Sequence, residues 1–262
     1  MDTVNSADGT KIAYDKQGSG PALILVDGAL CSRSTGSKAK LVSLLAPHFT
    51  VYSYDRRGRG DSGDTSPYAV QREVEDIGTL IEQAGGTACL YGHSSGGCLA
   101  LEAAAELGGK VRKLAMYEVP YNDDPGARPA WQEYLRQLTE ALEAGRRGDA
   151  AALFMRYVGV PPQHIDGIRR SPFWAGVEAI APTLAYDHSA IMGKDASVPA
   201  SRAARVRVPA LAMYGTASPA FMHDTARTLS RAMPAAELRA LDGQKHEVNP
   251  AVLAPVLAQF LA

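Results

Sequence analysis

The chain has 262 residues, 46% hydrophobic and 21% charged, with a formal net charge of −1. That length suits one large α/β domain with room for an inserted subdomain. The near-zero charge gives no footprint for nucleic acid or an anionic membrane, and no apolar run approaches the roughly 20 residues of a membrane span. The polar N-terminus lacks an apolar signal core, so a cytoplasmic location is expected.

Asp8-Gly9 between Thr3-Val4 and Ile12-Ala13-Tyr14 predicts an opening hairpin. Residues 22–26, Ala-Leu-Ile-Leu-Val, form a continuous apolar run and predict a strand buried on both faces. It ends at Asp27-Gly28-Ala29-Leu30. A helix is expected near 38–46, then a strand over 49–54 ending in Asp55-Arg56-Arg57-Gly58-Arg59-Gly60-Asp61-Ser62-Gly63. Helix 70–83 leads into a strand that stops at Gly92. An Ala-rich helix follows, then a strand over 111–118. Strands and helices alternating in this way predict a mostly parallel, doubly wound sheet.

The alternation stops between about residues 121 and 205. Helical periodicity appears at 131–142 and 150–158, and a helix over 174–186 is interrupted by Pro182. This segment reads as a helical insertion, 121–205, between core segments 1–120 and 206–262. The sheet pattern resumes at 209–215, with a helix over 221–232, a strand over 237–241 and a last helix over 252–261. The cysteines, Cys31, Cys89 and Cys98, show no Cys-x-x-Cys spacing, so neither a disulfide framework nor a metal site is expected, and no cofactor.

The chemistry centres on Gly92-His93-Ser94-Ser95-Gly96, a Gly-x-Ser-x-Gly nucleophile elbow between strand and helix. Such a tight reversal strains the apex backbone and requires near-absent side chains two positions either side. A serine hydroxyl needs a base within reach. Of the six histidines, His246 follows the last strand and precedes the final helix, where its loop can reach back over the elbow. His93 is expected to leave the elbow on the other side, in a structural role. His164, His188 and His223 are expected at the surface or lining a pocket.

Taken together, the residues after strand 22–26, the Asp55-x-Arg57-Gly58-x-Gly60-x-Ser62 loop, the elbow and the terminal His246 resemble the α/β-hydrolase superfamily, in its form with a helical cap. The resemblance covers almost the whole chain. It implies an α/β-hydrolase fold, Ser94 as nucleophile, His246 as base, and the N–H groups of Ala29 and Ser95 as the oxyanion hole.

Two positions depart from the family pattern. Asp27 stands where the family usually has histidine, either capping a turn or assisting an unusual reaction. The usual acid position after the seventh strand reads Gly215-Thr216-Ala217-Ser218, without a carboxylate. Glu118, at the end of the sixth strand, is the expected acid, as in some members of the superfamily, with Asp187 and Asp195 as alternatives. Arg56, Arg57 and Arg59 are expected to order their loop by salt bridges. Asp27, Tyr121 and Trp174 are candidates for touching or modulating substrate.

The resulting expectation is a serine hydrolase for a small-to-medium hydrophobic ester, thioester or lactone, working as monomer or homodimer on a small molecule. A lyase, cyclase, isomerase or carbon–carbon hydrolase on the same fold is the first alternative, motivated by Asp27 and the missing late-loop acid. A non-catalytic ligand-binding module is the second.

Overall fold

The structure is a computed structural model that describes residues 1–34 and 38–262. Among the described residues, eight strands form one sheet in the order β1-β2-β4-β3-β5-β6-β7-β8. β1 (Asp2–Asn5), β2 (Lys11–Gln17) and β4 (Thr50–Tyr54) pair antiparallel in sequence. β3 (Ala22–Val26), β5 (Ala88–His93), β6 (Val111–Tyr117), β7 (Ala210–Gly215) and β8 (Ala236–Leu241) continue it with parallel pairing.

Side chains alternate between two cores, as the pleat requires. Ile24, Val26, Leu90, Leu114 and Met116 enter one. They pack there with α2 (Val70–Gln83), α3 (Ser95–Leu107) and α9 (Ala220–Ala232). Leu23, Leu25, Tyr91, Ala115 and Tyr117 enter the other, under α1 (Lys38–Leu45) and α10 (Pro250–Leu261). Burial on both faces explains why the central strands read as unbroken apolar runs.

Between β6 and β7 lie α4 (Arg128–Glu143), α5 (Arg147–Tyr157), α6 (Pro162–Arg169), α7 (Trp174–Ile180) and α8 (Ala200–Ala203). The helix expected over 174–186 is three pieces. α7 tightens into a 3-10 turn at Ala181–Thr183, where Pro182 removes a donor, and a π-helix follows at Tyr186–Ile191. The wide π turn leaves two consecutive residues, Asp187 and His188, buried at 0% and 5% exposure. His188 is therefore not at the surface. It packs among Trp131, Tyr134 and Phe154, and its Nδ1 lies 2.8 Å from the Tyr134 hydroxyl.

Candidate active site

Ser94 sits at the junction of β5 and α3 with φ 57° and ψ −133°, a strained conformation for a non-glycine residue. Its surroundings hold it there. Its N–H donates to Tyr117 O (3.0 Å), and its C=O accepts from Gly97 N (2.8 Å). The flanking glycines answer to contact, as the motif requires. A Cβ at Gly92 would stand 2.5 Å from Gly97 Cα, and one at Gly96 would stand 2.2 Å from Val26 O. The N–H of Ser95, the first residue of α3, has no intrahelical acceptor and lies beside the serine.

His246 and Glu118 meet across 128 residues of chain. His246 Nδ1 lies 3.1 Å from Glu118 Oε2, with the carboxylate fully buried and the imidazole 40% exposed. Glu118 has φ 50° one residue beyond β6, which turns its side chain toward β7 rather than along the strand. Its other oxygen accepts from Gly215 N (2.8 Å). Burial pushes the Glu118 pKa up, but His246, the neighbouring Ser218 hydroxyl and the Gly215 N–H outweigh it and hold it below the usual carboxylate range. Ser218 thus stands near Glu118, at the position where the superfamily usually carries its acid.

His93 does not leave the elbow on the far side. Its Nε2 lies 3.0 Å from the backbone oxygen of His246, and the two rings stand 4.8 Å apart. Burial and the proximity of His246 lower its pKa to about 4, so it is neutral and donates from Nε2. The residue preceding Ser94 therefore ties down the loop that carries His246. The spacing of the elbow gave no signal for this, because it depends on where a distant loop lands.

Asp27 is engaged by the Lys38 ammonium, and its backbone oxygen accepts from Arg56 Nη1 (3.1 Å). The positive partner offsets the charge that would oppose a developing oxyanion. Next to it, a Cβ at Gly28 would lie 3.0 Å from Ser94 Cβ and 3.4 Å from Ser94 Oγ, so the Gly28-Ala29 peptide borders the serine.

Tyr121 is 1% exposed within the core, its backbone oxygen accepting from Thr225, and so offers a ligand no surface. Trp174 lies under the Arg169 guanidinium, 5.4 Å from the ring centroid, against Gly148 of α5. Tyr121 is taken up by packing, whereas Trp174 is half-buried. Asp195 is paired with Arg128 at the surface, and Asp187 with Arg56 and Arg59.

The arginine loop does form salt bridges. Arg57 pairs with Asp76 and Asp8, and Arg56 grips Glu73 through two bonds. Glu73 and Asp76 lie three apart on the buried face of α2, so one helix answers two arginines. Arg33 joins Asp55. Among the described residues, no cluster of histidine, cysteine or acidic side chains could hold a metal ion.

A family model described as "Alpha/beta hydrolase family" matches residues 29–256. An α/β hydrolase from Sphaerobacter thermophilus DSM 20745 is 46% identical, with both chains covered in full and a TM-score of 0.88. The enol-lactonase from Burkholderia xenovorans LB400 shares the fold at 24% identity, with 99% of each chain covered and a TM-score of 0.72. A pimeloyl-[acyl-carrier protein] methyl ester esterase from Xanthomonas oryzae pv. oryzae (strain MAFF 311018) is 42% identical over 103 residues. That stretch is 39% of this chain and 38% of the relative's own length.

Proposed function

Because the chain belongs to the alpha/beta hydrolase family, we propose that it cleaves a small-to-medium hydrophobic carboxylic ester, thioester or lactone through a Ser94-His246-Glu118 triad. The observation that carries this reading is the His246 Nδ1–Glu118 Oε2 contact at 3.1 Å, on a loop tied to the residue before the strained serine. With Nδ1 committed to the carboxylate, Nε2 is the atom left to take a proton.

Ser94 Oγ attacks the acyl carbon while His246 Nε2 takes its proton, and the carbonyl π electrons move onto oxygen. The N–H groups of Ala29 and Ser95 receive that oxyanion. Collapse expels the leaving group, which takes the proton back from His246. A water then gives a proton to Nε2 and attacks the acyl carbon; the bond to Ser94 Oγ breaks, Oγ takes that proton back from His246, and the acid is released. Glu118 stays ionised throughout, orienting the ring and stabilising its charged form.

The two features that motivated a different reaction class both have partners: Lys38 for Asp27, and Glu118 in place of a late-loop acid. The named activities of the relatives support ester or lactone chemistry. The test is fluorophosphonate labelling followed by peptide mass spectrometry, with hydrolysis of p-nitrophenyl butyrate in parallel. Label on Ser94, and loss of turnover in Ser94→Ala, are expected. A folded protein that hydrolyses the ester equally well without Ser94 ends this reading.

A further inference from the structure

The peptide between Gly28 and Ala29 borders Ser94, and it is held from behind. Gly28 O accepts from Arg59 Nη1 at 2.6 Å. In a trans peptide the C=O and the N–H point in opposite directions. Drawing Gly28 O toward the buried guanidinium therefore turns Ala29 N–H toward the opposite side. Leu30, the next residue, has φ 55°, so this short turn is strained and needs external support. One residue earlier, Arg56 holds Asp27 O in the same manner.

Arg59 is 1% exposed; its Nη1 also reaches Cys31 O at 3.5 Å, and its other two nitrogens are engaged as well. Nε donates to Thr183 Oγ1 (3.1 Å), and Nη2 to Asp187 Oδ2 (2.6 Å). Both partners lie in the insertion between β6 and β7. Asp187 also takes Arg56 Nη1 at 2.6 Å, and Glu73 completes a neutral, buried set of two cations and two anions. Burial would raise the Asp187 pKa, but Arg56 and Arg59 outweigh it and hold it at about 2. Arg56 and Glu73 would suffice as a strut between loop and helix. Arg59 instead divides its donors between the insertion and the turn beside the nucleophile.

We propose that Arg59, clamped by Thr183 and Asp187, is a positioning residue of the oxyanion hole: its bond to Gly28 O fixes the peptide whose N–H, that of Ala29, receives the developing charge. The charge-assisted bond also polarises the peptide and strengthens the N–H as a donor. The inference rests on the serine-hydrolase reading.

Arg59→Gln, Arg59→Lys and Thr183→Val in the full chain test it with p-nitrophenyl butyrate. Removing one oxyanion donor outright costs about 10²–10³ in kcat, so loosening one should cost roughly 10- to 100-fold, with KM within about threefold. Inhibition by phenylboronic acid, whose serine adduct is tetrahedral, should weaken by the same factor. Arg59→Lys keeps a cation beside Asp187 for the fold, but one ammonium cannot serve Gly28, Asp187 and Thr183 together. Thr183→Val removes the Nε acceptor, together with the hydroxyl's own bond to Ile180 O (2.8 Å), and should show a smaller loss of the same kind. A purely structural role would lower the unfolding midpoint and leave kcat and the boronate Ki unchanged in the folded fraction. That result overturns the proposal while fluorophosphonate labelling of the wild type keeps the serine-hydrolase reading. A wild type that takes no label on Ser94 overturns both.

Discussion

Glu118→Gln is the substitution that probes the proposed triad most directly. The replacement is isosteric, and its carbonyl oxygen can still accept from Gly215 N, so the fold around it has reason to persist. The other end changes sign. An amide NH₂ facing His246 Nδ1 makes that nitrogen an acceptor and moves the ring proton to Nε2, the atom that should take the serine proton. The ionic loss can be bracketed. For unit charges 3.1 Å apart, Coulomb's law gives roughly 5 kcal/mol at an effective dielectric of 20 and roughly 1 kcal/mol in bulk water. Glu118 is fully buried and the imidazole is 40% exposed, so the pair lies between these limits. About 3–4 kcal/mol corresponds to roughly 10²–10³ in kcat. Steady-state hydrolysis of p-nitrophenyl butyrate measures it, with circular dichroism to confirm folding. Glu118→Gln combined with Ser218→Asp supplies a carboxylate near the old one and should recover at least about tenfold. A folded Glu118→Gln enzyme within about threefold of wild-type kcat refutes the assignment.

Gly96→Ala would drive a Cβ to 2.2 Å from Val26 O, a backbone atom that cannot step aside, and α3 must move. A loss of about 2–3 kcal/mol in chemical denaturation is expected, together with lower kcat as Ser94 leaves its station. A second prediction concerns acid. His188 is buried, and burial lowers its pKa from 6.5 to about 4 against the favourable charge of Asp187. The unfolded chain therefore takes up this proton first, so stability falls as pH drops from 6.5 toward 4. The contribution is about 2–3 kcal/mol by pH 4.5. Asp187, held near 2, stays ionised across that window. His188→Phe keeps the ring contacts and should flatten the fall between pH 7 and 4.5 in urea unfolding. An unchanged slope removes His188 from the account.

Much of this molecule was written locally. The apolar run 22–26, the alternation of strands with helices, and two glycines flanking one serine depend on sterics within a few residues, and each appears where the pattern puts it. Helix 70–83 even matches its expected limits. The partner of His246 was legible only as a short choice, because Glu118 and His246 are neighbours solely through the order of β6, β7 and β8. Two features had no local trace. His93 turns toward the His246 loop, and Asp187 descends from a π-helix onto Arg56 and Arg59, 131 and 128 residues away. Periodicity records which face of an element is apolar. It carries nothing about which distant carbonyl or carboxylate that face will meet, and only the packing of the finished chain decides that.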